Sequence, residues 1–137
     1  MAINSIINSR VIQYSDIDSK FRITPSSSDM VLKKDVQAVK QSVLNILLTN
    51  KGEKVFHEDF GGNLRSYLFE NYDSITSMAI QSRVEGTLLN YEPRISVTSV
   101  DVDDTRIDYN ALTITVEFII KSIEELATIE FTVERLR

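Results

Sequence analysis

Leu88-Leu89-Asn90-Tyr91-Glu92-Pro93-Arg94-Ile95-Ser96-Val97 is the stretch on which the fold turns. Before it, apolar residues recur every three or four positions; after it, every second position. Pro93 has no backbone N–H to continue a helical ladder, and its ring pushes Glu92 toward extended geometry. A helix must stop here and a strand must start.

Reading back from Pro93, Ser74 is a good cap for a helix running to about Asn90. Ile75, Met78, Ala79 and Leu89 lie on one side of it. Ile80, Val84 and Leu88 widen the apolar face, which predicts contact with neighbours on two sides. A shorter helix from Asn63 to Asn71 carries Leu64 and Leu68 one turn apart. Before it, Glu53 to Gly62 is an aromatic-bearing loop closed by two glycines. Earlier still, Ser28 or Asp29 can cap a helix to about Thr49, with Leu32, Val36, Val39, Val43, Ile46 and Leu47 as its stripe. Asn50-Lys51-Gly52 then stops it, with Gly52 suited to the left-handed conformation. Residues 1–28 interleave Ile6, Ile7, Val11, Ile12, Tyr14, Ile17, Phe21 and Ile23 with Ser, Asn and Asp. That mixture reads as an arm packed on the domain or on a partner, ending in Thr24-Pro25-Ser26-Ser27-Ser28.

Reading forward, Ile95 and Val97 share one phase, and Val100 and Val102 continue in the opposite one. The switch predicts a bulge or a strand covered on both faces. Leu112, Ile114, Val116, Phe118 and Ile120 alternate with polar residues, as do Ile129, Phe131 and Val133. The connections, Asp103 to Asn110 and Ser122 to Glu125, suit an antiparallel meander. The expected fold is α+β: an N-terminal arm (1–28), then one domain (29–137) of about three helices packed on a C-terminal antiparallel β-meander.

Composition narrows the function classes. A chain of 137 residues can bury a core without staples, and it has no cysteine for disulfides or thiolate metal sites. Its net charge of −5, with Lys and Arg scattered, offers no broad field for nucleic acid or anionic lipid. The N-terminal residues lack the flank and apolar core of a signal peptide, and no run approaches the roughly 18 apolar residues of a membrane span. The expectation is a soluble protein that engages neither nucleic acid nor membrane.

Catalytic patterns are sparse. His57-Glu58-Asp59 holds the one histidine, but zinc needs three or four suitably spaced ligands, so a solvated loop is the better reading. Counted from Asp101 as a calcium loop, the positions that require Gly and Glu hold Arg106 and Leu112. Gly61-Gly62 lacks the lysine and spacing of a phosphate loop, and there is no nucleophile elbow. Two carboxylates could converge for glycoside hydrolysis, but nothing selects a pair. No enzyme and no cofactor are expected.

Several segments, taken in order, resemble the baseplate wedge and sheath-initiator family of contractile-tailed bacteriophages. That family includes the lysozyme-like-named baseplate subunit of type VI secretion systems. The segments are Tyr14-Ser15-Asp16-Ile17-Asp18 with Phe21; Leu47-Leu48-Thr49; Lys51-Gly52-Glu53; Phe56; Phe60-Gly61; Leu68-Phe69-Glu70; and Tyr91-Glu92-Pro93-Arg94-Ile95. They cover about residues 14–120. Glu58 departs from the pattern, since relatives often carry proline there.

The resemblance implies a structural protein of the virion tail baseplate, assembled in the bacterial host cytoplasm. Its partners would be the wedge core-bundle proteins, the tail sheath protein, and tail tube or hub proteins. Glu92, Pro93 and Arg94 would dock on the core bundle. If the chain is extended through Pro93, Glu92 and Arg94 project to one side, and Arg94 can make a bidentate contact. Phe56, Phe60 and Gly61 would pin the loop, with both rings acting as core anchors and Tyr91 as a core residue or a staple. The strand Ile129-Glu130-Phe131-Thr132-Val133 would template the first sheath ring by edge pairing. The competing readings are a peptidoglycan-cleaving lysozyme-like enzyme and an adaptor-binding regulatory module.

Overall fold

A computed structural model describes residues 12–105 and 110–134. The arm residues Ile6, Ile7 and Val11 and the loop residues Arg106, Ile107 and Asp108 lie outside the described residues. In chain order the elements are β1 (Ser15–Ile17), β2 (Leu32–Lys34), α1 (Val36–Leu48), a 3₁₀ helix (Leu64–Phe69), α2 (Ser74–Tyr91), β3 (Ile95–Asp103), β4 (Ala111–Ile120) and β5 (Glu125–Glu134). The class is α+β, as the periodicities predict.

The meander β3-β4-β5 is antiparallel throughout, with β4 in the centre and β3 and β5 at the edges. Along β4 the even-numbered residues Leu112, Ile114, Val116, Phe118 and Ile120 are all buried. They face the helices, because side chains at i and i+2 share a sheet face. The phase switch in β3 is a bulge: the register with β4 shifts between Val97 and Ser99, leaving Thr98 as the extra residue. Ile95 and Val100 therefore both point inward despite their odd spacing.

Both α-helices cover this face. Val39, Val43, Ile46 and Leu47 of α1 and Ile80, Val84 and Leu88 of α2 enter one cluster with Leu64 and Leu68 of the 3₁₀ helix and the inner face of the sheet. Asp73, not Ser74, caps α2, accepting the Thr76 N–H at 2.8 Å. On the other apolar side expected of α2, Ile75, Met78 and Leu89 are exposed and Ala79 is half-buried.

The start of α1 needs correction. The helix begins at Val36. Leu32 belongs to β2, paired with Ile17 of β1, while Ile23 bridges Met30. Helical spacing from Leu32 to Val36 was a coincidence overridden by tertiary pairing. The hairpin turns through Thr24–Ser28, where Ser28 donates its N–H to the Thr24 carbonyl and Thr24 donates to Asp29. Asp35 closes the hairpin at the mouth of α1. Its carboxylate accepts the N–H groups of Gln13 (2.9 Å) and Tyr14 (3.3 Å), and its own N–H donates to the Tyr14 carbonyl.

Gly61 and Gly62 fold back over the end of α1. A Cβ on Gly61 would lie 2.3 Å from the Thr49 carbonyl oxygen, and one on Gly62 2.8 Å from that of Leu47. The close approach lets the Gly62 N–H donate to the Ile46 carbonyl and the Asn63 N–H to that of Thr49. These bonds occupy carbonyls that a helix end leaves open.

Candidate docking site at the helix-to-strand junction

Glu92 is the C-terminal cap of α2, its N–H donating to the Leu88 carbonyl at 2.9 Å. Pro93 then ends the helix and Arg94 leads into β3. The expectation that Glu92 and Arg94 project together toward a partner is corrected by the fold. Glu92 is turned inward, with 3% of its surface exposed. Its carboxylate accepts Nε of Arg94 on Oε1 (2.5 Å), and Nη2 of Arg94 (2.7 Å) and the Ser42 hydroxyl of α1 (2.6 Å) on Oε2. The bidentate contact expected of Arg94 is thus made within the chain, two residues back.

Burial pushes the Glu92 carboxyl upward, but the Arg94 guanidinium and the Ser42 hydroxyl outweigh it and hold the pKa below the usual glutamate range. The same contact raises that of Arg94. Glu92 is therefore ionised and internally matched, as a buried charge must be. Arg94 keeps 34% of its side chain exposed. Its guanidinium carbon lies 5.1 Å from the centre of the Tyr14 ring, within cation–π range. What faces solvent is the outer part of one guanidinium, fixed from behind by a carboxylate and flanked by an aromatic ring.

Further contacts tie the junction to its surroundings. Lys121, just after β4, donates its ammonium to the Pro93 carbonyl and its backbone N–H to the Arg94 carbonyl, both at 3.0 Å. The Tyr91 hydroxyl donates to the Asp59 carbonyl at 3.1 Å, and its ring stands 4.8 Å from that of Phe60. Lys54 places its ammonium 4.0 Å from the Phe60 ring centre. Arg83 of α2 donates to the Gly62 carbonyl at 3.1 Å. The junction therefore gathers Tyr14 of the N-terminal segment, Ser42 of α1, the glycine loop and the β4–β5 turn.

The loop residues divide. Phe60 packs against the core and Gly61 makes the close approach already described. Phe56 is no core anchor: it is 95% exposed, at φ 66°, beside an exposed Val55. The turn of Lys54 to His57, closed by the His57 N–H on the Lys54 carbonyl, carries it away from the domain. His57, Glu58 and Asp59 are all exposed on this loop. Among the described residues no group of three or more His, Cys, Asp or Glu side chains could hold a metal.

A second buried carboxylate was missed by sequence reasoning. Asp18 is 0% exposed, with Arg22 Nε at 2.5 Å from Oδ2 and the Lys33 ammonium at 3.4 Å from Oδ1. The hydrogen bond from Arg22, helped by Lys33, holds its pKa below the usual aspartate range against the opposing effect of burial. The basic residue four positions on was the one local signal; Lys33 is brought in by the hairpin.

A family model described as "Baseplate wedge protein gp25" matches residues 33–125. The baseplate wedge protein gp25 of Enterobacteria phage T4 is 33% identical over 99 residues, which is 72% of this chain and 74% of that protein. Among solved structures, a protein described as a tail lysozyme from Geobacter sulfurreducens superposes with a TM-score of 0.71 at 26% identity, covering 79% of this chain and 97% of that one. A chain of the anti-feeding prophage baseplate shares the fold, with a TM-score of 0.62 at 22% identity over 87% of this chain and 83% of that one.

Proposed function

This chain belongs to the baseplate wedge protein gp25 family, and on that premise we propose that it is a structural subunit of a contractile-tail baseplate wedge. In this reading it sits in the virion tail, is assembled in the bacterial host cytoplasm, and docks on the wedge core-bundle proteins through the junction at Pro93 and Arg94. The observation that carries the reading is the state of Arg94. Its guanidinium is oriented by Glu92, which Ser42 fixes in turn, and its outer part is left free beside Tyr14. A preset guanidinium loses little freedom when it meets a partner carboxylate or carbonyl. Glu92 is a positioning residue in this scheme, and Pro93 supplies the abrupt change of direction.

The test is co-purification of wedge proteins with the Arg94→Lys variant. Lysine keeps the charge but loses the two-pronged contact to Glu92 and the planar outer face. The expected result is a folded chain that no longer enters the wedge complex. Normal incorporation of that variant would exclude docking through Arg94.

The sheet supplies the second proposed contact. β5 has β4 on one side and, among the described residues, no strand on the other, so its outer edge can pair with a strand of the sheath protein. Ile129, Glu130, Phe131, Thr132 and Val133 form the middle of that edge. Phe131 and Val133 are buried toward the helices, whereas Glu130 is exposed. Lysine at the exposed Thr128 and Glu130, which guards the edge while leaving Ala127, Phe131 and Val133 in the core, should permit wedge assembly and stop sheath growth, read by electron microscopy of the tails; tube or hub contacts would survive that change.

The name of the Geobacter relative raises a hydrolytic alternative. A glycosidase of the usual kind needs a carboxylic acid that stays protonated near neutral pH. Asp18, Glu53, Asp73 and Glu92 are all shifted the other way, each by hydrogen bonds or cations that favour the ionised form. None of these four suits the part of that acid, in keeping with the structural reading. Release of soluble fragments from peptidoglycan by the purified chain would overturn it.

A further inference from the structure

A cleft of about 350 Å³ lies between the β1–β2 hairpin, α1 and β5. Lys20, Lys33 and Lys40 line it over an apolar floor of Leu44 and Ile129. Glu130 is the one carboxylate among the lining residues. The adjacent Asp18 carboxylate already engages Arg22 and Lys33, while Lys20 and Lys40 make no ion pair among the described residues. In a chain whose net charge is −5, this is a local reversal of sign.

The cleft also reaches the edge of the sheet. Ile129 and Glu130 are consecutive in β5, so their side chains leave opposite faces of the strand. A cleft lined by both borders the strand's edge and not one face of the sheet. That edge is the outer one, because β4 occupies the other side along the whole of β5. Backbone donors and acceptors on an edge strand recruit another polypeptide strand.

We propose that this cleft takes an extended, acidic segment of another protein, laid along the outer edge of β5 with its carboxylates on Lys20 and Lys40. The chain's own ends do not suit it. Residues 1–11 and 135–137 contain no carboxylate side chain and carry Arg10, Arg135 and Arg137. Nucleic acid is disfavoured, because the lining has no aromatic ring for base stacking and its sheet edge offers backbone pairing that a polynucleotide cannot use. The proposal rests on the reading of β5 as a template strand and adds the charge of the strand that meets it.

The experiment uses the full chain and a fluorescently labelled peptide of alternating glutamate and valine, about ten residues long, the upper length of a common strand. Anisotropy should show saturable binding that weakens as salt rises. Lys20→Glu/Lys40→Glu, which alters two unpaired surface residues, should weaken it by about tenfold or more, since each lost pair becomes a repulsion. Amide exchange over residues 127–133 should slow when the peptide is added. The proposal is overturned if the peptide does not bind, if the double variant binds it equally well, or if an oligothymidylate of equal charge binds the cleft as tightly. Failure here is separable from failure of the template reading: peptide binding by the unaltered chain, without any loss of sheath growth in the Thr128→Lys/Glu130→Lys variant, retains the cleft and removes the template.

Discussion

Glu92 and Asp18 are two buried carboxylates, each paired with an arginine, and their difference separates the firm part of the molecule from its adjustable part. Both oxygens of Glu92 are hydrogen-bonded, one of them twice, and its two partners come from the residue that leads into β3 and from α1. Asp18 has one oxygen on Arg22 and the other without a hydrogen-bond partner, although the Lys33 ammonium stands at 3.4 Å. Arg22 is 62% exposed, so solvent competes for it. Glu92 closes a joint inside the core domain; Asp18 holds a two-stranded hairpin, a unit that has little stability alone. A fully matched buried charge sets geometry, while a partly matched one tethers.

The largest expected effect is on the joint. Glu92→Ala leaves the Arg94 guanidinium and the Ser42 hydroxyl without their partner, at a cost of about 1–3 kcal/mol, the exposure of Arg94 keeping it below the range for a wholly buried pair. Urea denaturation should show a lower midpoint with an unchanged slope. Next in size is the pH response. Both carboxyls are held below their ordinary values, 4.5 for Glu92 and 3.8 for Asp18, so in acid the unfolded chain binds more protons than the folded one. Their contribution is complete above those values and falls away as pH drops through the depressed ones. Glu92→Gln should flatten the acid limb of the stability curve, measured by denaturant midpoints at successive pH values.

A smaller and more local change is expected from Asp18→Asn. It should speed amide exchange in residues 15–17 and 31–34 while leaving the β4 core unchanged, as a tether would and a joint would not. Equal loss of protection in β4 would erase the distinction between the two sites. Arg22→Ala should loosen the same hairpin residues and no more of the fold, read by the same exchange, because it takes the guanidinium from the buried Asp18 carboxylate.

The parts of this fold that could be read from sequence are those set by repetition. The meander and its bulge follow from alternating Val, Ile and Thr, and the end of α2 follows from a proline that no helix tolerates. The beginning of α1 could not be read, because Leu32 keeps helical spacing with Val36 while its backbone pairs with Ile17, fifteen residues earlier. At the candidate site, Pro93 and Arg94 were visible but the inward turn of Glu92 was not. That turn depends on Ser42, fifty residues away, and spacing within a motif carries no information about such a partner. Phe56 misled for the reverse reason: hydrophobicity suggested burial, and a left-handed turn put the ring in solvent.

Lys121 gives the junction a mechanical meaning. It follows the last residue of β4, leads into the turn before β5, and grips both Pro93 and Arg94 by their carbonyls. The proposed wedge contact and the proposed sheath contact are thus joined by one turn of chain and the two Lys121 hydrogen bonds, a link that runs outside the helical layer.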